Sequence, residues 1–188
     1  MTRIFTSLAL LNTLALIATY AVGVVSKLRA SALHPEDPTY LVHFVLGLFT
    51  AIGTLLVHCL IFTYFLGTGR WVKEVTLAYD LPDEPWHKET RELKRRTFPP
   101  ALAAMLIVIA AAAAGAGAQL QQWPWQVHAT LGTLALLINL AAFRVEYRNV
   151  TANAVVLDEV LREVDRVRAA HGLPSNAEAL REEEARRS

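Results

Sequence analysis

Four stretches of the chain are apolar on every side, with neither the alternation of a half-buried strand nor the single stripe of a soluble amphipathic helix. They cover residues 4–25, 40–66, 100–118 and 125–143, and none contains Asp, Glu, Lys or Arg. Each is close to or longer than the about 20 helical residues needed to cross the hydrocarbon core of a bilayer. The pattern predicts an all-α protein, an integral membrane four-helix bundle. The first stretch is longer than the apolar core of a secretory signal, and only Arg3 flanks it, so it is expected to be a retained span.

The connections are uneven. Residues 26–39 form an external loop containing His34, Pro35, Glu36, Asp37 and Pro38, and Pro38 sets the start of the second span. Residues 67–99 are read as one long internal loop, and residues 119–124 as a tight uncharged turn. Beyond Phe143 the fourth helix is expected to continue into a tail. There Leu157, Val160, Leu161, Val164 and Val167 recur at helical spacing among charged residues, before the stop His171-Gly172-Leu173-Pro174. This stripe is expected to pack against the internal loop; self-association through about two heptads is the other reading. The division that follows is a bundle over 1–148 and a cytoplasmic helical tail over 149–188.

Charge adds an orientation. Arg70, Lys73, Lys88, Arg91, Lys94, Arg95 and Arg96 lie in the long loop, and Arg144 and Arg148 open the tail, against only Lys27 and Arg29 on the other side. Basic residues mark the cytoplasmic side, so both termini are expected there, in what reads as a bacterial inner membrane. Tyr40, Trp71, Trp123 and Trp125 fall where interfacial aromatic residues belong. The formal net charge of +1 gives no reason to expect nucleic acid as a partner; the bilayer itself is the partner that the composition implies.

Candidate chemistry rests on histidine. The single cysteine, Cys59, lies in an apolar run and can form neither an intrachain disulfide nor a thiolate metal cluster. Phosphate loops, zinc-protease signatures and nucleophile motifs do not occur. The acidic residues of the long loop interleave with Lys88, Arg91 and Lys94, as on a salt-bridged surface helix. The second span, however, contains Val42-His43-Phe44-Val45-Leu46-Gly47, and the fourth contains Val127-His128-Ala129-Thr130-Leu131-Gly132. Both read V-H-x-x-L-G, offset by 85 residues, which maps the first helical hairpin onto the second.

His43 lies three residues after Tyr40 and His128 three after Trp125, so the two imidazoles are expected at matched depth near the external face. Ionisable residues inside a membrane span are costly and face the bundle interior. Two neutral imidazoles at one depth are suited to be the axial ligands of a haem iron. The motif resembles that of small four-helix membrane cytochromes of the b type, where a histidine followed one turn later by glycine recurs on facing helices; the resemblance covers the V-H-x-x-L-G segments only. It implies haem b, with His43 and His128 on the metal and Gly47 and Gly132 making room for the ring. Ala18, Ala21, Gly23 and the run 110–118 add small residues at this level. Lys27 and Arg29 are placed to meet the propionates.

His58 is a weaker metal candidate, because its equivalent in the repeat is Phe143, which cannot ligate iron. A His58–Met105 pair is the remaining haem option there. A hydrogen bond from His58 to Thr54, Thr63, Tyr64 or Asn139 is the expected alternative, and a quinone-side proton relay is a further reading. The functional expectation is electron transfer near the external face by a haem protein or a haem-bearing subunit, with a redox partner or larger membrane complex, in a monomer or a homo-oligomer. The competing expectation is a non-enzymatic accessory or scaffold subunit, or a small transporter, with structural histidines.

Overall fold

A computed structural model describes residues 1–30, 38–82 and 85–187. The segment with His34, read from the sequence as an external loop, includes residues 31–37, which lie outside the described residues. Four long helices, α1 (Thr2–Ala30), α2 (Thr39–Ala78), α3 (Trp86–Gln119) and α4 (Trp125–Ala170), are followed by a short α5 (Asn176–Arg187). All four long helices are long and apolar enough to cross a membrane. Consecutive helices are neighbours and α4 returns to α1, closing an up-down-up-down ring in which α2 and α4 face each other diagonally.

The bundle turns many of its large side chains outward. Leu10, Leu14 and Ile17 on α1, Leu48, Phe49, Ile52 and Leu56 on α2, Leu102 and Leu106 on α3, and Leu137 on α4 are exposed. Such apolar surface would be untenable in water and suits the sides of a bundle immersed in lipid. Polar residues go the other way: Asn12, Thr50, Thr54, His58, Asn139, Glu146 and Asn153 are buried.

The segment 67–99, read from sequence as a loop, is mostly helix. α2 runs on to Ala78 and α3 begins at Trp86, so the connection shrinks to a few residues with Asp80 at positive φ. Forty residues of α2 extend about 60 Å, twice the thickness of a hydrocarbon core of about 30 Å. The bundle therefore has a second storey at the α2–α3 end. Val72, Val160 and Val164 are its core, with Trp71, Val75, Tyr79, Leu81, Trp86 and Leu157 around them. Of the apolar stripe read in the tail, Val160 and Val164 are thus packed against α2, and Trp71 is drawn into this cluster. The charged residues outside it pair locally, as in Arg70–Glu74 and Arg96–Glu92.

The six-residue repeat extends much further than its motif. At the offset of 85, the buried set Thr50, Thr54, Val57, His58, Ile61 and Phe65 of α2 falls on Ala135, Asn139, Ala142, Phe143, Glu146 and Val150 of α4, all buried. At an offset of 92, Ala9, Asn12 and Leu16 of α1 fall on Ala101, Ala104 and Val108 of α3, also buried. The two offsets differ because 20 positions separate Gly23 from His43 but only 13 separate Gly115 from His128. The bundle is a pseudo-twofold pair of hairpins.

The upper storey gives a direct test. Val160→Asp replaces a fully buried apolar side chain by a charge and should cost at least about 3 kcal/mol, lowering the melting temperature of the full-length protein in detergent. Val155→Asp, at a position 52% exposed, should leave it unchanged. Equal melting of the two variants would contradict this packing.

Candidate functional site: a histidine pair and a buried histidine–glutamate pair

His43 on α2 and His128 on α4 meet across the pseudo-twofold axis. Their ring centroids are 5.9 Å apart, with an interplanar angle of 67°. Each ring is held by the first helix of its own hairpin. His43 Nδ1 lies 3.1 Å from the Thr19 carbonyl of α1, and His128 Nδ1 lies 2.9 Å from the Ala111 carbonyl of α3. A carbonyl only accepts, so both Nδ1 atoms donate. In the neutral ring this leaves Nε2 with its lone pair, the state that a metal-ligating imidazole requires, and a backbone carbonyl on the other nitrogen is the usual orienting partner.

The glycines beside these rings are Gly23 and Gly115, read from the sequence as small residues at this level, and not Gly47 and Gly132, read as making room for a ring. A Cβ on Gly23 would stand 2.7 Å from His43 Cε1, and one on Gly115 would stand 3.0 Å from His128 Cε1. The two helices can approach the imidazoles only because both positions lack a side chain. Thr19 and Gly23 on α1, and Ala111 and Gly115 on α3, are the same pair of positions in the two repeats, one turn apart on one face. Gly47 and Gly132 do not support the rings. A Cβ on Gly47 would meet only Thr19 Cγ2 at 3.6 Å, and at Gly132 nothing lies within 4 Å. Gly132 borders open space, whereas Gly47 lies in ordinary contact with Thr19. Of the small residues expected nearby, Ala111 and Ala114 are buried, whereas Ala18 and Ala21 face outward.

Lys27 and Arg29 are in the last turn of α1, at the same end as the histidine pair. Lys27 Nζ stands 4.9 Å from the centre of a Trp125 ring, and Arg29 donates to Thr39 Oγ1 at 3.3 Å.

Below the histidine pair hydroxyl and amide groups join the two helices of the first hairpin. Thr19 and Thr50 hydroxyls are 2.8 Å apart, and Asn12 Nδ2 donates to Thr54 Oγ1 at 2.8 Å. One turn further along α2 comes His58, fully buried. Its Nδ1 lies 2.6 Å from Glu146 Oε1 and its Nε2 lies 3.0 Å from Asn139 Oδ1. Phe143, its partner in the repeat, stacks on the ring with centroids 5.1 Å apart and planes at 16°. Both nitrogens of His58 are engaged, so neither is available to an iron shared with Met105. Asn139, one of the partners expected from the sequence, is confirmed.

Glu146 was missed, because the adjacent Arg144 closes the apolar stretch and assigns everything after Phe143 to the tail. Its burial could have been read from two regularities. Glu146 is the repeat equivalent of Ile61, and it lies seven residues from both Asn139 and Asn153, on one helix face. Among the described residues no three His, Cys, Asp or Glu side chains gather as a metal-holding group.

The glycine contacts predict an order. Gly23→Ala and Gly115→Ala should destabilise by about 1–3 kcal/mol, Gly23 more than Gly115, because each methyl displaces a tethered ring. Gly132→Ala meets nothing and should be neutral, or gain up to about 1 kcal/mol from helix propensity. Thermal unfolding of the three variants measures this, and a loss at Gly132 equal to that at Gly23 would contradict it.

The chain matches no protein-family model, no curated protein and no solved structure.

Proposed function

We propose that this chain is a membrane-embedded haem b protein, or the haem-bearing subunit of a larger redox complex, with His43 and His128 as the axial ligands. The observation that carries the reading is the histidine pair: two imidazoles at 5.9 Å, each with Nδ1 committed to a carbonyl. His43 and His128 would hold the iron through Nε2, the nitrogen that each carbonyl bond leaves with its lone pair. The glycine cradles at Gly23 and Gly115 add that each ring is positioned by backbone and not by adaptable side chains. Diagonal helices supply the ligands, and one turn from His128 a Cβ on Gly132 would meet nothing within 4 Å.

Such a group would supply one-electron transfer through its iron. The chain's part is to hold the ligand rings, fix their tautomer, and surround them with apolar helices that keep water away. Lys27 and Arg29 would offer positive charge to the propionates at the α1 end. Basic residues concentrate at the α2–α3 end, which supports a reading with both termini and the second storey in the cytoplasm and the histidine pair near the opposite face of a bacterial inner membrane. Electron transfer would then take place near that external face, with a donor and acceptor that approach from it.

Absorption spectroscopy of the purified full-length protein tests this. A Soret band with sharp α and β bands on reduction is expected. His43→Ala and His128→Ala should each abolish that low-spin spectrum or convert it to high spin, while His171→Ala in the exposed tail should leave it intact. A colourless protein that takes up no added haem would overturn the reading. The histidine pair would then be an edge-to-face packing contact in a scaffold or accessory subunit, for which its centroid distance is suited.

A further inference from the structure

The His58–Glu146 pair has no part in holding an axial ligand, and its hydrogen bonds fix its proton count. Asn139 Nδ2 is 2.7 Å from the Ala135 carbonyl and 3.4 Å from the Ala104 carbonyl, and both can only accept. Its Oδ1 is therefore the atom facing His58, and His58 Nε2 must donate to it. One further proton must occupy the 2.6 Å contact between Nδ1 and Glu146 Oε1, since two bare lone pairs would repel. With that proton the pair is neutral overall, whether written as imidazolium and carboxylate or as imidazole and carboxylic acid. The second carboxylate oxygen, Glu146 Oε2, is buried and has no hydrogen-bond partner among the described residues. A second buried acceptor without a partner, Asn153 Oδ1, lies on the same face of α4, about 10 Å nearer the α2–α3 end.

Asn153 continues outward. Its Nδ2 donates to the Tyr64 hydroxyl at 3.0 Å and to Thr68 Oγ1 at 3.1 Å, and both of these residues are partly exposed. In the other direction the path is closed. Asn139 is an amide, its NH2 occupied by two carbonyls, and Phe143 covers the ring face. Thr54 above it spends its proton on the Thr50 carbonyl. Towards the α2–α3 end the next fully buried polar side chain on this face of α4 is Asn153, two turns beyond Glu146, whereas towards the histidine pair no hydrogen bond joins His58 to the Thr54 hydroxyl among the described residues.

We infer that the His58–Glu146 pair is an exchangeable proton-binding site, loaded from the α2–α3 end past Thr68, Tyr64 and Asn153. The incoming proton comes from water at that end and binds Glu146 Oε2. No other bond forms or breaks, and the pair passes from net charge zero to plus one. The proton leaves by the same route, so the site loads and unloads without conducting across the bundle. The ionisable groups turned towards the pair are its own two members and, further along α2, Tyr64. From α1 and α3 the inward residues at this level are Phe5, Ala9, Ala101 and Ala104, and Arg144 and Arg148 on α4 are exposed. The site stands whether or not the histidine pair binds haem.

Infrared difference spectra of the full-length protein in lipid nanodiscs, taken between acidic and alkaline buffers, test the inference. A protonated-carboxyl band that grows on acidification is expected in the parent and should be lost in Glu146→Gln, which retains an acceptor for His58. Asn153→Leu should leave the amplitude of the band but slow its hydrogen–deuterium exchange at least tenfold. If Glu146→Gln does not fold, the exchange rate in Asn153→Leu carries the test alone. A parent spectrum identical to that of Glu146→Gln, or exchange in Asn153→Leu at the parent rate, overturns the proposal. The readout does not involve haem, so its failure would leave the axial-ligand reading untouched, and a colourless protein with an intact carboxyl band would leave this one standing.

Discussion

A polar group inside an apolar bundle has to find its partner on a neighbouring helix, because neither lipid nor hydrocarbon side chains can supply one. That requirement fixes the relative heights of the helices here. Asn12 with Thr54 and Thr19 with Thr50 lock α1 to α2. Asn139 with Ala104 and Asn149 with Thr97 lock α3 to α4. His58 with Glu146, and Asn153 with Tyr64 and Thr68, then lock one hairpin to the other. Apolar packing alone would tolerate sliding by a turn. A turn's slip at the His58–Glu146 contact would leave a charge buried without its counter-charge, at a cost of about 3–5 kcal/mol.

The pseudo-twofold symmetry divides the chemistry into an equal half and an unequal half. At the outer level the mates are identical, His43 and His128, each resting on a glycine and tied to a carbonyl at the corresponding position. Lower down the mates differ. His58 faces Phe143, and the base finds its acid one turn away, at the position where the first repeat has Ile61. Equal mates facing across an axis suit one ligand bound symmetrically. Unequal mates suit a group that holds a proton on one side only. The same fold thus carries two arrangements of buried polar side chains, with Phe143 at the equivalent of His58 and Glu146 at the equivalent of Ile61.

Much of this was legible in the chain. Four uncharged stretches gave four helices, and the repeated V-H-x-x-L-G placed two histidines that do meet. Three things escaped for physical reasons. Helix ends at a membrane surface are not marked by charge: Arg70 and Arg91 sit on helices that continue beyond the apolar core, so a charged segment of 67–99 read as loop is mostly helix. Gly23 and Gly115 were read only as small residues at this level and not as supports of the rings, because they lie on a different helix from the histidines, and the offset relating them is 92, not 85, owing to the longer first connection. Glu146 was hidden by Arg144. Arg144 and Glu146, one and three residues after Phe143, point in different directions on a helix, and a linear scan for charge does not separate the exposed arginine from the buried acid.

The stripe on α4 also explains why the two storeys form one body. Asn139, Glu146, Asn153 and Val160 recur every seven residues and are all fully buried. A straight helix drifts by about 20° over each such interval, so a stripe of this period stays in contact with its neighbours only if the helices wind gently left-handed around one another. Asn139 and Glu146 contact His58, Asn153 contacts Tyr64 and Thr68, and Val160 clusters with Val72, so successive members of the stripe meet successive turns of α2. The stripe changes from polar to apolar along its length without changing its period. Polar members stand where α2 is flanked by exposed leucines and apolar members where it is flanked by charge. Register is specified by hydrogen bonds in the half where burying carbon gains little against lipid, and by burial of valine in the half where water makes that burial favourable.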